Sequence, residues 1–427
     1  MRSALARLAA GAPTRVFVVA AQGGRAPARR LAIDERIEVV GSPRAATVLI
    51  VVGRVPPALR AAVSQIHDQL AGPRATVLWG VDPFAPLPDA VLVAPAEDPV
   101  PAIVARRPGG PYVLADDDPN PWRSVGPYGQ GGKGMTGGTP YGRPMTGRAE
   151  DRDGLQLDQL PVTVGPFFPA LPPGLVLRVK LQGDVVQEST VGDNPFGAGP
   201  AVPPVGDLAA FERALVEPVL ISELELARAR HHLWWLGDAL RLQGLAALGE
   251  RSWRLAAALG VKDGPPTERL FTAVDRSQVL RWSVGGGGVV DPSVTVDKGL
   301  GPVERAAGRQ VDARLLDPAY GALDFEPVCQ RQGAGDNAAR WRQRMAEVAQ
   351  SLDLASRAGQ ARTTTVGVVE SPRGPISAGS RAPSHALLGL VPALVRGLEW
   401  GDLAAAMASL DVDMEEAARI VGHPVPA

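Results

Sequence analysis

The stretch Gly301–Leu352 decides the fold; it reads GPVERAAGRQVDARLLDPAYGALDF over Gly301–Phe325 and GDNAARWRQRMAEVAQSL over Gly335–Leu352. Its first part begins with a turn marked by glycine and proline and continues as a polar connector. In its second part, apolar residues recur at helical spacing after a Gly-Asp pair, so an amphipathic helix is predicted. The local chemistry of this stretch names no reaction.

The composition of the chain sets outer bounds on its function. Its 427 residues suffice for two or three domains, and a hydrophobic fraction of 45% supplies sizeable cores. A net charge of −1 provides no electrostatic attraction to nucleic acid. The single cysteine, Cys329, excludes an iron–sulfur cluster or a thiolate zinc site held by this chain alone. No apolar run has the roughly 20 residues of a membrane span, and the N-terminus lacks the long apolar core of a signal peptide, so a cytoplasmic protein is expected.

The N-terminal third alternates between strand and helix patterns. Buried strands are predicted at Arg15–Ala21, Ala46–Val52 and Ala75–Trp79, where apolar and β-branched residues dominate. Pro57–Leu70, between the second and third strands, has apolar residues on one helical stripe. A strand–helix–strand unit at this spacing predicts a small parallel sheet.

Ser42–Gly80 resembles the cluster-bearing small subunit (the 20-kDa type) of respiratory complex I and of nickel–iron hydrogenases. Its SPRAATVLIVVGRV is similar to the SPR-x-A-D-V-L-I-V-x-G pattern of that family. The resemblance implies a flavodoxin-like α/β domain and an iron–sulfur cluster on four cysteines. Those cysteines are missing, because the corresponding positions fall near Ala21–Gly24, near Asp82 and at Ala96. The fold is therefore expected to be kept and the cluster site lost.

The segment GPFFPALPPG, before the predicted β-hairpin Leu175–Leu181 and Val185–Thr190, resembles the GP-x-H-P opening of the complex I large subunit (the 49-kDa type). The resemblance places the histidine of that motif at the head-group site of the quinone. Phe168 occupies this position here. A phenyl ring cannot donate the hydrogen bond or proton that a quinone carbonyl requires, so Phe168 is predicted to be a degenerate quinone-site residue.

Two helices broken near Pro218 are predicted within Asp207–Leu259. In the second, ISELELARARHHLWWLGDAL resembles the L-x-E-L-x-R-I-x-x-H-L-x-W-L-G helix of the large subunit. Its adjacent His231 and His232 point about 100° apart and cannot both ligate one metal ion from a regular helix. Packed or hydrogen-bonded histidines are therefore predicted rather than ligands.

The stretch quoted first extends the same resemblance, because the large-subunit family carries GP-x-x-R-A-S-G, D-x-R, PY-x-x-Y-x-x-x-DF and GD followed by an R-M-x-E helix. The matching residues are Gly301, Pro302, Arg305, Ala306, Gly308, Asp312, Arg314, Pro318, Tyr320, Asp324, Phe325, Gly335, Asp336, Arg344, Met345 and Glu347. Downstream, VESPRG over Val369–Gly374 and the tail SLDVDMEEAAR match two further motifs. Hydrogenases end there with the nickel-ligating D-P-C-x-x-C, whereas Leu410-Asp411 is not followed by cysteine.

These resemblances predict three parts of the chain. Residues 1–115 form an α/β, flavodoxin-like small-subunit domain, and residues 116–154 form a glycine- and proline-rich linker. Residues 155–427 form an α+β large-subunit-like domain with an N-terminal β-hairpin and a helical core.

The resulting interpretation is a cofactor-stripped subunit of a complex I-like membrane assembly, of the NADH:quinone oxidoreductase or membrane-hydrogenase type, with a structural or coupling role. It would dock on membrane or antiporter-like subunits, peripherally on the cytoplasmic side of the inner membrane. Two alternatives stay open: a quinone-binding subunit that receives electrons from a partner, and a free-standing binding protein that reuses the fold. No nucleophile–base pattern is present, so no catalytic residue, metal, nickel or iron–sulfur cluster is predicted, and quinone only under the first alternative.

Overall fold

The computed structural model describes residues 12–84, 87, 90–106, 126, 146–151, 154–197, 207–260, 267–291, 299–330, 335–364 and 367–421. A parallel sheet fills the N-terminal part, in the order β2-β1-β3-β4-β5. Its strands are β1 (Thr14–Ala20), β2 (Ile37–Val39), β3 (Val48–Val52), β4 (Ala75–Trp79) and β5 (Val91–Val93). Helices α1 (Arg25–Leu31), α2 (Pro57–Asp68) and α3 (Val100–Ala105) accompany it. The central strand β3 is buried along its whole length, as its unbroken apolar sequence predicts.

An antiparallel sheet follows, in the order β6-β7-β8-β9. Its strands are β6 (Arg148–Glu150), β7 (Gln156–Val164), β8 (Leu177–Gln182) and β9 (Val185–Val191). The predicted hairpin is confirmed as β8 and β9, which turn at Gly183 with a positive φ of 63°. Strand β6, at the end of the predicted linker, pairs with β7. Residues 116–125, 127–145 and 152–153 of that linker lie outside the described residues.

Helices build most of the remainder. The break near Pro218 is confirmed, since α4 (Asp207–Arg213) and α5 (Ile221–Leu242) flank it; α6 (Ala246–Ala258), α7 (Glu268–Arg276) and α8 (Val279–Trp282) follow. Helix α5 is buried on nearly all sides because it packs between α6 and the later helix α11 (Asn337–Ala358). The rings of Trp235 and Trp341 meet edge to face at 5.4 Å between α5 and α11.

The predicted connector of Gly301–Phe325 is only partly irregular. It contains α9 (Pro302–Ala306), a 3-10 turn (Ala313–Leu316) and α10 (Pro318–Gly321). The 3-10 turn and α10 begin at Asp312 and Asp317, whose carboxylates accept backbone N–H groups as N-caps. Asp336 caps α11 in the same way. A short hairpin of β10 (Val368–Ser371) and β11 (Gly374–Ser377) and the helices α12 (Pro383–Val395), α13 (Trp400–Leu410) and α14 (Met414–Ala417) complete the described chain.

The largest hydrophobic core does not stop at the predicted domain boundary. It contains Phe17, Leu49 and Leu78 from the parallel sheet together with Leu175 and Leu410 from the C-terminal part. This contact between residues 12–106 and residues 154–421 is called the seam below. Since a continuous apolar core crosses it, the seam is a packed interface and not a loose linker contact. The division into residues 1–115, 116–154 and 155–427 stays a prediction.

Candidate functional site

A cavity of about 500 Å³ opens at the seam. Its apolar wall includes Phe17 of β1, Phe167 and Phe168 of the turn before β8, and Trp235 of α5. A charged wall is formed by side chains of three elements: Arg25, Arg29, Asp238, Arg241 and Asp411. A mostly apolar cavity with a few convergent polar groups is the usual form of a small-molecule site.

Phe168 lies at the rim of this cavity. Its side chain is 38% exposed, and its ring packs against Trp400 with centroids 6.1 Å apart. A phenyl ring and an indole ring in this arrangement fill apolar space, and the phenyl ring offers no hydrogen-bond donor. The residue at this position therefore does not fit a quinone head group, although the cavity beside it is apolar enough for a hydrophobic ligand.

The positions that align with cluster ligands do not supply metal ligands either. Asp82 and Ala96 follow the C-terminal ends of β4 and β5, and both are exposed. The loop Ala21–Gly24 follows β1 and packs tightly against the end of β3: a Cβ on Gly24 would lie 2.2 Å from the carbonyl oxygen of Val52. Without a thiolate at any of these positions, the residues present do not fit an iron–sulfur cluster. Within the described residues, no group of three or more His, Cys, Asp or Glu side chains could hold a metal ion.

Ion pairs join the two sides of the seam instead. Arg25 and Arg29, four residues apart on α1, both face Asp238 of α5, at 3.5 Å from Arg25 and 3.1 Å from Nε of Arg29. Arg25 also donates to Asp413 at 3.3 Å and lies 3.8 Å from the fully buried Asp411. Burial alone would lower the pKa of Arg25, but these three carboxylates outweigh it and raise the pKa. The pairs are called the seam clamp below.

Asp411 is the central buried carboxylate on the C-terminal side of the seam clamp. It ends α13 in the left-handed conformation, with φ of 55°. Its carboxylate lies 2.7 Å from Nε2 of His231 and 3.2 Å from Nε of Arg373. Burial alone would raise the pKa of Asp411, but Arg373 and His231 hold it well below the usual range. The position that precedes the nickel ligands in hydrogenases thus carries a structural ion pair here.

The carbonyl groups in the last turn of α13 also accept hydrogen bonds from side chains. Arg344 donates to the carbonyl oxygens of Ser409 and Leu410 at 2.8 and 3.2 Å, and its guanidinium lies over the ring of Trp235. Trp235 Nε1 donates to the carbonyl of Ala408 at 2.7 Å. Burial lowers the pKa of Arg344 to about 10, so the side chain stays charged at neutral pH. The negative end of the helix dipole stabilises this charge.

The prediction for the two histidines is confirmed. His231 bonds Asp411, and His232 lies 3.2 Å from Glu347, so the neighbouring side chains point to different partners. Burial lowers the pKa of His231 to about 3, and burial also lowers that of His232. Both rings are therefore neutral at physiological pH and act as hydrogen-bonding core residues.

A second group of buried charges, the interior network, surrounds Arg305. This fully buried side chain lies 2.9 Å from Glu347, 2.8 Å from Glu370 and 3.1 Å from Asp312. Burial alone would raise the pKa of Glu347, but Arg305 and His232 hold it well below the usual range. Burial and the nearby Asp312 raise the pKa of Glu370. One arginine thus ties α9 to α11, to β10 and to the 3-10 turn.

Glu225 of α5 continues the interior network. Its carboxylate lies 3.1 Å from Arg314, and it accepts the hydroxyl groups of Tyr320 at 2.7 Å and Ser351 at 2.6 Å. Arg228, one turn later, donates to the backbone carbonyls of β10. Burial alone would raise the pKa of Glu225, but Arg314 and Arg228 outweigh it and lower the pKa. Glu225 is thus paired with Arg314 and Arg228, as is typical of a structural core.

The sequence interpretation missed the seam clamp. The sequence patterns assign no role to Arg25, Arg29, Asp238 or Asp413. One signal existed, because the two arginines are four residues apart in RAPARR, directly after the first predicted strand, and therefore share a helix face. Their carboxylate partners lie more than 200 residues away, where no local pattern marks them.

Comparison with known proteins gives one family match, in the C-terminal part of the chain. Residues 267–373 match the family model described as "Respiratory-chain NADH dehydrogenase, 49 Kd subunit". Over this segment the chain is similar to the 49-kDa subunit of the respiratory-chain NADH dehydrogenase. The matched segment runs from α7 to the turn between β10 and β11, so it contains Arg305, Glu347 and Glu370 of the interior network.

Among solved structures, the chain is similar to a chain of the structure titled "Structure of the membrane-bound sulfane sulfur reductase (MBS), an archaeal respiratory membrane complex". The identity is 19%, the TM-score is 0.47, and the match covers 61% of this chain and 99% of that one. No curated protein sequence matches the chain. Within the described residues, no helix has the length and hydropathy needed to cross a bilayer.

Proposed function

We propose that this chain is a structural or coupling subunit of a complex I-like membrane oxidoreductase assembly and carries no redox centre of its own. One observation carries the proposal: the seam, where the resemblance would place cluster and quinone, is joined by the seam clamp. Arg25, Arg29, Asp238, Asp411 and Asp413 occupy that region with mutual ion pairs. Charged side chains engaged in this way stabilise an interface and transfer no electrons.

Two further observations support a chain in which a small-subunit-like domain is fused to a large-subunit-like domain. The strand order β2-β1-β3-β4-β5 is that of flavodoxin-like doubly wound sheets, in keeping with a small-subunit-like domain. The family match over residues 267–373 favours a large-subunit-like C-terminal part. A fused pair of this kind would dock on membrane or antiporter-like subunits, peripherally on the cytoplasmic side of the inner membrane.

The 500 Å³ cavity favours a second candidate function, a subunit that binds quinone and receives electrons from a partner. Its apolar wall suits an isoprenoid quinone, but Phe168 cannot hydrogen-bond a quinone carbonyl. Arg25 and Arg29 on the opposite wall are already paired with carboxylates. The structural role is therefore the better supported of the two.

Purification of the tagged chain from its native membranes in a mild detergent tests the proposal. The expected result is co-migration with integral membrane subunits and substoichiometric iron and nickel on the chain separated from them. A soluble monomer without membrane partners would favour the free-standing binding protein, and a stoichiometric cluster on the chain would overturn the proposal.

A short-chain quinone added to the purified chain tests the second candidate. Trp235 and Trp253 line the cavity, so a bound quinone would quench their fluorescence. The wild type is expected to show no saturable quenching. Phe168→His restores a hydrogen-bond donor at the rim of the cavity and is the matched variant. Saturable quenching in the wild type itself would favour quinone binding over a purely structural role.

A further inference from the structure

The cavity at the seam contains one cationic side chain that no carboxylate balances. Its charged wall holds three arginines, two of which form the ion pairs of the seam clamp. The third, Arg241 of α5, has no carboxylate within ion-pair distance in the part of the chain that the structure describes. Its Nη2 donates to the backbone carbonyl of Val39 at 3.3 Å, and its guanidinium carbon lies 4.9 Å from the ring centroid of Trp253.

These two contacts of Arg241 leave it able to bind an anion. A guanidinium presents five N–H donors in one plane, whereas the contacts use one donor and one face of the group. The planar group can hold a carboxylate through two parallel hydrogen bonds. Asp238, three residues earlier on α5, would repel an anion, but both arginines of α1 pair with it. The other carboxylate of the wall, Asp411, is likewise paired with Arg373. An anion in the cavity therefore meets one unbalanced cation.

An apolar surface accompanies Arg241 inside the cavity. Trp235 lies six residues earlier on the same helix, roughly 9 Å away along its axis, and also lines the cavity. Phe17 of β1, Phe167 of the turn before β8 and Met407 of α13 supply further apolar wall. The volume of about 500 Å³ lies in the range of small-molecule sites. A ligand that suits this space therefore combines one anionic group with an apolar chain.

We propose that the cavity binds a single-chain amphipathic carboxylate of medium length, with its head paired to Arg241 and its acyl chain along the apolar wall towards Trp235. A carboxylate carries one charge and so matches one unbalanced guanidinium. A phosphate monoester carries about −1.5 to −2 charges at neutral pH, and the described wall offers no further unpaired arginine for the second charge. An uncharged quinone would leave Arg241 without a counter-charge. The site lies within the chain itself and does not depend on its place in an assembly.

Isothermal titration calorimetry of the purified full chain with octanoate tests the site at neutral pH. Octanoate is expected to bind saturably, with one molecule per chain. Octanol has an alkyl chain of the same length but no charge, so it is expected to bind at least about tenfold more weakly. Arg241→Gln should weaken octanoate binding at least about tenfold, although glutamine keeps a donor for the Val39 carbonyl. Arg251→Gln, an exposed position of α6 outside the cavity, is the matched control and should bind octanoate like the wild type.

A second variant and a second readout make the test specific. Arg241→Lys keeps the charge but loses the planar pair of donors, so its affinity for octanoate should lie between those of the wild type and Arg241→Gln. Tryptophan emission should shift in step with the heat signal, because Trp235 and Trp253 line the cavity. Equal affinities for octanoate and octanol in the wild type would overturn the proposal even if Arg241→Gln failed to fold. Absence of saturable octanoate binding, or equal binding by a folded Arg241→Gln, would overturn it as well.

Discussion

Replacement of Arg305 by methionine should be among the most damaging single changes to this fold. The side chain is fully buried and lies within 3.1 Å of Asp312, Glu347 and Glu370. Methionine fills a similar volume but leaves the three carboxylates without their shared cation. Removal of one partner from a buried ion pair costs about 3–5 kcal/mol. Glu347 keeps His232 and Gln343, and Asp312 keeps Arg314, so the lost charge is felt most at Glu370, whose carboxylate keeps, within the described residues, only the N–H of Ala313. The free energy of unfolding should therefore fall by at least about 3 kcal/mol.

Equilibrium unfolding in urea, followed by tryptophan emission, measures this loss. Trp235 and Trp341 report on the helical core that contains the network. Arg357→Met is the matched control: Arg357 pairs with Asp353 at 2.8 Å on the exposed surface of α11, so its loss should cost at most about 0.5 kcal/mol. Equal costs for the two variants, or a cost below about 1 kcal/mol for Arg305→Met, would refute the idea that the interior network holds the fold together.

Three further predictions concern other parts of the molecule. Gly301→Ala should destabilise the chain by about 2–3 kcal/mol, because φ of Gly301 is +51° and a Cβ would lie 2.6 Å from Cα of Gly374. A thermal melt checks this. The control is Gly321→Ala, whose Cβ would meet no atom within 4 Å and which should leave the melting temperature unchanged or slightly raised. The pKa of His231 is about 3 in the folded chain, so the unfolded chain binds the extra proton below pH 6.5 and the stability falls as the pH falls. His231→Gln should remove up to about 2 kcal/mol of that loss between pH 6.5 and 5. Urea unfolding midpoints measured over this range check the prediction. A double-mutant cycle of Arg29→Met and Asp238→Asn should give a coupling of about 1 kcal/mol across the seam, whereas a coupling near zero would mean that the seam clamp contributes nothing to stability.

Hydrophobic patterning predicted several of the regular elements of this chain. The strand Ala75–Trp79 agrees with β4 to the residue, and the predicted helix Pro57–Leu70 ends two residues earlier, at Asp68. Such elements are visible in the sequence because each buries one stripe or face of its own residues. Their ends are less visible, since caps and frayed turns depend on neighbours.

Gly301–Phe325 shows where this kind of reasoning fails. Its polar composition predicts a connector, yet Arg305, Asp312 and Arg314 are buried and two short helices and a 3-10 turn form there. The partners that make their burial favourable, such as Glu225 and Glu370, lie on distant elements. Local polarity therefore predicts exposure, and only the tertiary pairing reverses that prediction. Asp82 and Ala96 show the opposite case. The resemblance aligns them with cluster ligands, but their side chains are exposed to solvent and supply no metal ligand.

Positions in the interior network and positions at the seam tolerate substitution differently, for a physical reason. Residues that match the family motifs, including Arg305, Glu347 and Glu370, belong to the interior network, where removal of a single charge leaves another buried and unpaired. Phe168 and the loop Ala21–Gly24 lie at the seam, where a lost ligand leaves a cavity that apolar packing or an ion pair can fill. Under the proposed function, the chain has lost its redox positions at the seam and retains the family motifs in the interior network. In this chain the motifs around Arg305 supply the buried ion pairs that connect the helical core.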